Sequence, residues 1–209
     1  MTSSGEGRRS EPLVDKPQAF SDGSRPCLVL VNGFPGTGKT TVATQLSRYF
    51  RLPLLSKDVF KELMFDALGW SDKEWSLKVS AAAHRMMDYV IDEELKIGHS
   101  LILEANFKPA IDSERFRRFQ DLYHAQLIQV LCWARGDVLF DRYWARHISE
   151  RHPGHVETAT PDEQRRGLAP GKCEPLSIRG ATIEVDTTDF SGVDYPRIFA
   201  RVNAANAQV

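Results

Sequence analysis

The chain has 209 residues, 42% of them hydrophobic and 26% charged, with a formal net charge of -1 and a pI near 6.6. That length supports one full core, and the charge balance excludes a global basic field for nucleic acid. Three cysteines, Cys27, Cys132 and Cys173, an odd number with no C-x-x-C spacing, suggest neither a disulfide framework nor a zinc site and fit a reducing, cytoplasmic setting.

Residues 1–25 are polar and rich in Ser, Gly and Pro, without a signal-peptide core, and are expected to form a disordered leader ahead of one domain, 26–209. No run reaches the roughly 18 apolar residues of a membrane span, so no membrane partner is expected. Five short apolar runs alternate with helix-like stretches, the pattern of an α/β domain with a parallel sheet. They lie at 27–32, 52–56, 100–105, 125–133 and 181–186, and several are nearly continuously apolar, as strands covered on both faces should be. Cys27 and Cys132 fall beside or within such runs and read as small buried hydrophobes.

The first run, CLVLVN, passes directly into GFPGTGKTT and then into helix-compatible sequence. Gly33, Gly38, Lys39 and Thr40 satisfy G-x-x-x-x-G-K-S/T between a buried strand and a helix, the context this motif requires. Gly33, Gly36 and Gly38 leave room for backbone N–H groups to converge on phosphate oxygens at a helix N-terminus. Lys39 can bridge the β- and γ-phosphates, and Thr40 can offer its hydroxyl to Mg²⁺. The expected nucleotide-binding residues are Gly33, Pro35, Gly36, Thr37, Gly38, Lys39, Thr40 and Thr41. The nucleotide is expected to be ATP: the N-K-x-D motif of GTPases is absent, and DALG at 66–69 matches D-x-x-G only formally, within helical sequence.

The second run ends in LLSKDVF, placing Asp58 at the strand's carboxyl edge, where it can accept a hydrogen bond from an acceptor hydroxyl and align it. Its competing role is N-cap of the helix VFKELMFDAL, and the two are compatible. The stretch 71–98 opens with Ser71 and Glu74 in capping-box spacing. Trp75, Val79, Ala82, Met86, Val90 and Leu95 are spaced to share one face, and Gly98 stops the helix. Arg85, Asp88 and Asp92 read as its solvated face, with a cap over the acceptor pocket as the other reading. The third run, LILEANF, delivers Glu104 where a metal-linked acid sits in P-loop proteins, able to hold Mg²⁺ through water, or else to make a structural ion pair. After the fourth run comes ARGDVLFDRYWARHISERHPGHVE. Arg142 and Arg146, four apart, can share a helix face and clasp phosphates, and RHPGH should break the helix and begin a mobile, closing segment. The histidines here lack a third acidic ligand at metal spacing, so no zinc site is expected. A last helix, Tyr195 to about 205, should pack beside the first.

With GFPGTGKTT, SKD, LEANF and DRYWARHISERHPGH assembled, the sequence resembles the P-loop kinases of small hydroxyl-bearing compounds and of nucleic acid ends. That group includes chloramphenicol phosphotransferase, the zeta-toxin kinases, gluconate and shikimate kinases, and the kinase domain of polynucleotide kinase. The resemblance covers nearly everything from Cys27 onward. It implies a three-layer P-loop fold similar to nucleoside monophosphate kinases, with a five-stranded parallel sheet in the order 2-3-1-4-5 and an arginine lid. It further implies that Asp58 is the acceptor base and that Lys39 and Thr40 hold triphosphate and metal. Arg142 or Arg146 would close over the phosphates, and EVDTTD, containing Thr187, would flank adenine. Glu104 departs from the commoner aspartate of the group.

The resulting expectation is an ATP- and Mg²⁺-dependent kinase acting on a small-molecule hydroxyl acceptor, with natural products or antibiotics among the candidate acceptors. Its first rival is a polynucleotide 5′-hydroxyl kinase, which needs a basic channel that Arg115, Arg117 and Arg118 could begin. Its second is an ATP-binding switch that transfers nothing.

Overall fold

The structure is a computed structural model that describes residues 25–207 apart from Glu150 and Glu157, so the expected leader lies outside the described residues except for Arg25. Five strands form one parallel sheet: β1 (Cys27–Asn32), β2 (Leu54–Ser56), β3 (Leu101–Glu104), β4 (Gln126–Trp133) and β5 (Gly180–Asp186). Their order across the sheet is β2-β3-β1-β4-β5, the order expected. Register places Val31 beside Glu104 on one side and Val130 on the other, so the carboxyl ends of β1, β3 and β4 come level at one edge.

Alternation along β1 explains how a fully buried strand serves two cores. Cys27, Val29 and Val31 face α1 (Lys39–Phe50) and α7 (Tyr195–Ala207), where Val42, Leu46, Phe199 and Val202 close the layer. Tyr49 stacks on Phe199 at 4.0 Å, so the first and last helices pack side by side as anticipated. Leu28 and Leu30 face the opposite layer, filled by Met87, Ile91 and Leu95 of α3 (Lys73–Lys96) and by Phe116 and Phe119 of α4 (Pro109–Tyr123). A smaller cluster of Leu139, Phe140, Tyr143 and Leu168 joins α5 (Gly136–Ser149) to α6 (Pro161–Leu168). Helix α2 (Lys57–Leu68) follows β2 and packs against α3. Among the described residues, no helix is long and apolar enough to cross a membrane.

Two local expectations are corrected. Helix α3 is capped by Asp72, whose carboxylate accepts from the Trp75 amide at 2.9 Å, and not by Ser71, so Glu74 is one residue out of capping-box position. Its buried stripe is Ser76, Val79, Ala83, Met87, Ile91 and Leu95. Met86 stays exposed, as do Leu77 and Tyr89. Apolar residues on both sides of α3 make its periodicity ambiguous, and contact with the sheet selects the stripe.

Candidate active site

The site begins where β1 runs out. Gly33, Gly36 and Gly38 all have positive φ, and Gly38, at φ 68°, is the N-cap of α1. A Cβ on Gly33 would stand 2.5 Å from the Cys132 carbonyl oxygen, so the chain passes too close to β4 for any side chain. The loop is braced from both sides. Asn32 Oδ1 accepts from the amides of Gly33 (2.8 Å) and Phe107 (2.9 Å), tying the loop to the segment after β3. Thr37 Oγ1 donates to the Phe34 carbonyl, and Thr187 Oγ1 donates to the Thr37 carbonyl, both at 2.8 Å. A loop so braced at a helix N-terminus is preorganised for an anion, which the helix dipole and terminal amides stabilise.

Lys39 is buried at the start of α1, with its ammonium 3.7 Å from Glu104. Glu104 is also buried and accepts from Ser56 Oγ at 2.5 Å. The structural ion pair is thus present: one carboxylate oxygen faces Lys39 and the other accepts from Ser56. Thr40 and Thr41 lie exposed in the first turn of α1. The hard oxygen donors at hand, the Thr40 hydroxyl and the Glu104 carboxylate, are of the type that fits a Mg²⁺ held mainly by phosphate oxygens and water.

Asp58 stands in the first turn of α2, not at its cap. Ser56 holds the N-cap position, and its hydroxyl serves Glu104 and not the helix. The Asp58 carboxylate accepts from Lys57 Nζ at 2.9 Å. Burial alone would raise its pKa, but the Lys57 ammonium, with smaller contributions from Lys39 and His155, holds it well below the usual carboxylate range. Asp58 and Lys39 line the same cavity of about 590 Å³, together with Pro35, Asn106 and Arg146.

The two lid arginines separate. Arg146 lines the cavity, whereas Arg142 donates to the carbonyls of Thr187 (2.9 Å) and Thr188 (3.0 Å) and lies over the Phe190 ring. Phe190 packs against Gly38, where a Cβ would fall 1.8 Å from the ring. Arg142 therefore holds the β5–α7 loop against the P-loop. Thr187 is buried, its hydroxyl directed at the Thr37 and Trp133 carbonyls, so its side chain braces the P-loop against β4. The RHPGH segment ends α5 as expected and docks on α2: His152 stacks on Phe65, and His155 meets Glu62 at 2.8 Å.

The helical wall of the cavity was legible only in part. Ser80, Ala81, His84, Arg85 and Asp88 present one face of α3 to it, so Arg85 and Asp88 are not merely solvated. Asp88 receives Arg115 at 2.5 Å, and Asp112 receives the same guanidinium at 3.0 Å. Lys61 and Arg151 also line the cavity. Lys61 carried a signal in its spacing, three after Asp58 and four after Lys57 on one helix.

A family model described as an AAA domain matches residues 28–170. No curated protein matches the chain. Among solved structures, a "putative kinase" from Chloroflexus aurantiacus is 41% identical with a TM-score of 0.82, over 87% of this chain and 99% of that one. The APS kinase CysC of Mycobacterium tuberculosis, in complex with AMPPNP and APS, shares the fold at 16% identity and a TM-score of 0.56, over 87% of this chain and 97% of that one. With its P-loop built between β1 and α1 and its sheet ordered β2-β3-β1-β4-β5, the chain belongs to the AAA-domain family of P-loop kinases.

Proposed function

We propose that the protein is an ATP- and Mg²⁺-dependent phosphotransferase that moves the γ-phosphoryl group of ATP to a hydroxyl of a small molecule. The observation that carries this reading is the shared cavity: Lys39, at the phosphate end, and an ionised Asp58, at the acceptor end, line one space of about 590 Å³. Clefts of this volume hold a small molecule. The reaction forms a bond from the acceptor oxygen to the γ-phosphorus and breaks the bond to the β–γ bridging oxygen, releasing ADP and the hydroxyl proton. In the loose transition state most of the catalysis is positioning and charge neutralisation. Asp58 accepts the hydroxyl's hydrogen bond and aligns its oxygen; Lys39 and Arg146 offset charge on the transferring group. Mg²⁺, when bound, supplies further neutralisation of the phosphate charge, with Thr40 and Glu104 holding it. The unit proposed to do this spans residue 26 onward, in a cytoplasmic setting.

The test is ADP release from ATP and Mg²⁺ across pools of sugars, aminoglycosides, nucleoside antibiotics and 5′-hydroxyl oligonucleotides. Stimulation by a small-molecule pool, abolished in Lys39→Ala together with ATP binding, is the expected result. Tight ATP binding with no stimulation by any pool overturns it in favour of a nucleotide-binding switch.

A further inference from the structure

The cavity's charge goes beyond what transfer to a neutral alcohol requires. Leaving Lys39 to the triphosphate, seven lysines and arginines line it against three aspartates. The aspartates are already engaged: Asp58 with Lys57, and Asp88 and Asp112 with Arg115. Lys61 is the unusual member. It is only 7% exposed, its ammonium donates to Ser76 Oγ at 2.9 Å, and among the described residues no carboxylate lies within ion-pair distance of it. Its ammonium is held by Ser76 and lies over the Phe65 ring, with no direct ion pair among the described residues, so on the wall of an open cavity it is placed to take an anionic occupant. Arg85, on the facing helix α3, likewise has no carboxylate partner among the described residues.

Resting on the kinase reading above, we propose that the acceptor is a small hydroxy compound carrying an anionic group of its own, a phosphate, sulfate or carboxylate, seated between Lys61 and Arg85 while its hydroxyl lies at Asp58. The positive excess does not extend into the neighbouring groove. The adjoining groove that contains Arg115, Arg117 and Arg118 also contains Asp88, Glu114 and Asp121, so it offers no basic track for a polynucleotide. A compact acid, smaller than the cavity, matches this distribution.

The first measurement is calorimetric titration of the full chain, saturated with AMPPNP and Mg²⁺ to occupy the P-loop, with inorganic sulfate. Sulfate is expected to bind, with at least a tenfold loss in Lys61→Met, which keeps an unbranched side chain of similar size while removing the ammonium that lies 5.2 Å from the Phe65 ring centre, and about a threefold loss in Arg85→Gln. Lys61→Arg should restore most of the affinity. Unchanged AMPPNP affinity and far-ultraviolet circular dichroism establish that the variants are folded; Arg85→Gln, on an exposed position, serves if Lys61→Met is not. No sulfate binding, or binding equal in both variants, overturns the proposal.

The second measurement is ADP release with matched hydroxy compounds bearing phosphate, sulfate, carboxylate or no charge, and with 5′-hydroxyl oligonucleotides. Stimulation by one charged small-molecule pool supports the proposal and identifies the anion. Stimulation by neutral compounds alone, or by oligonucleotides alone, overturns it while leaving phosphoryl transfer intact. Silence in every pool counts against the kinase reading itself, and the sulfate titration then still judges the cavity.

Discussion

Asp58→Asn separates chemistry from folding. The carboxylate is about half exposed, with a side-chain accessibility of 49%, and its partner is the Lys57 ammonium at 2.9 Å. An ion pair so open to water is worth about 0–1 kcal/mol, so the variant should unfold at nearly the wild-type temperature. Asp58 takes no part in the contacts by which Arg142 and Phe190 close on Gly38, the side proposed for the adenine, and ATP affinity should stay within about threefold. Transfer is another matter. A positioned acid or base contributes about 10²–10⁴ in rate, which corresponds to about 2.7–5.4 kcal/mol of barrier. The assay is acceptor-dependent ADP release, alongside ATP titration by fluorescence and thermal unfolding. Turnover within about threefold of wild type would refute the acceptor-orienting role, and a large drop in melting temperature would show that Asp58 mainly supports α2.

The other perturbations divide along the same lines. Arg142→Ala removes two charged hydrogen bonds to the β5–α7 loop and should weaken ATP binding about tenfold or more, whereas Arg146→Ala should lower turnover by a larger factor than ATP affinity; paired ATP titrations and rates check this, and equal effects in both variants would contradict the division of labour. Glu104→Ala leaves Lys39 buried without its carboxylate and Ser56 without its acceptor, and urea unfolding should register a loss of about 3–5 kcal/mol; a loss below about 1 kcal/mol would mean that the pair is incidental. Burial, with Lys57 and Arg151 nearby, lowers the Lys61 pKa to about 8 against the opposing pull of Asp58 and Glu62, with Ser76 as its hydrogen-bond partner. The ammonium is therefore present below pH 8 and lost above it, so sulfate affinity should fall as pH rises through 8, and a profile flat to pH 9.5 would remove Lys61 from the anion site.

The sequence by itself determined the sheet, the P-loop and the identity of its chemistry. Buried parallel strands read as continuous apolar runs, and a glycine loop that must admit backbone to phosphate tolerates few alternatives, so CLVLVNGFPGTGKTT carries its structure locally. Asp58 and Glu104 were legible for the same reason: each sits where a strand ends. What only the tertiary structure decided depends on which faces meet. Arg142 and Arg146 share a helix face in sequence, yet one turn of α5 separates a loop clamp from a cavity wall. Asp58 and Asp72 exchange roles with their neighbours because capping depends on where each helix begins, a matter of one residue. Lys61 and Arg85 become parts of one cavity only because α2 packs against α3, and no local pattern in either helix encodes that packing.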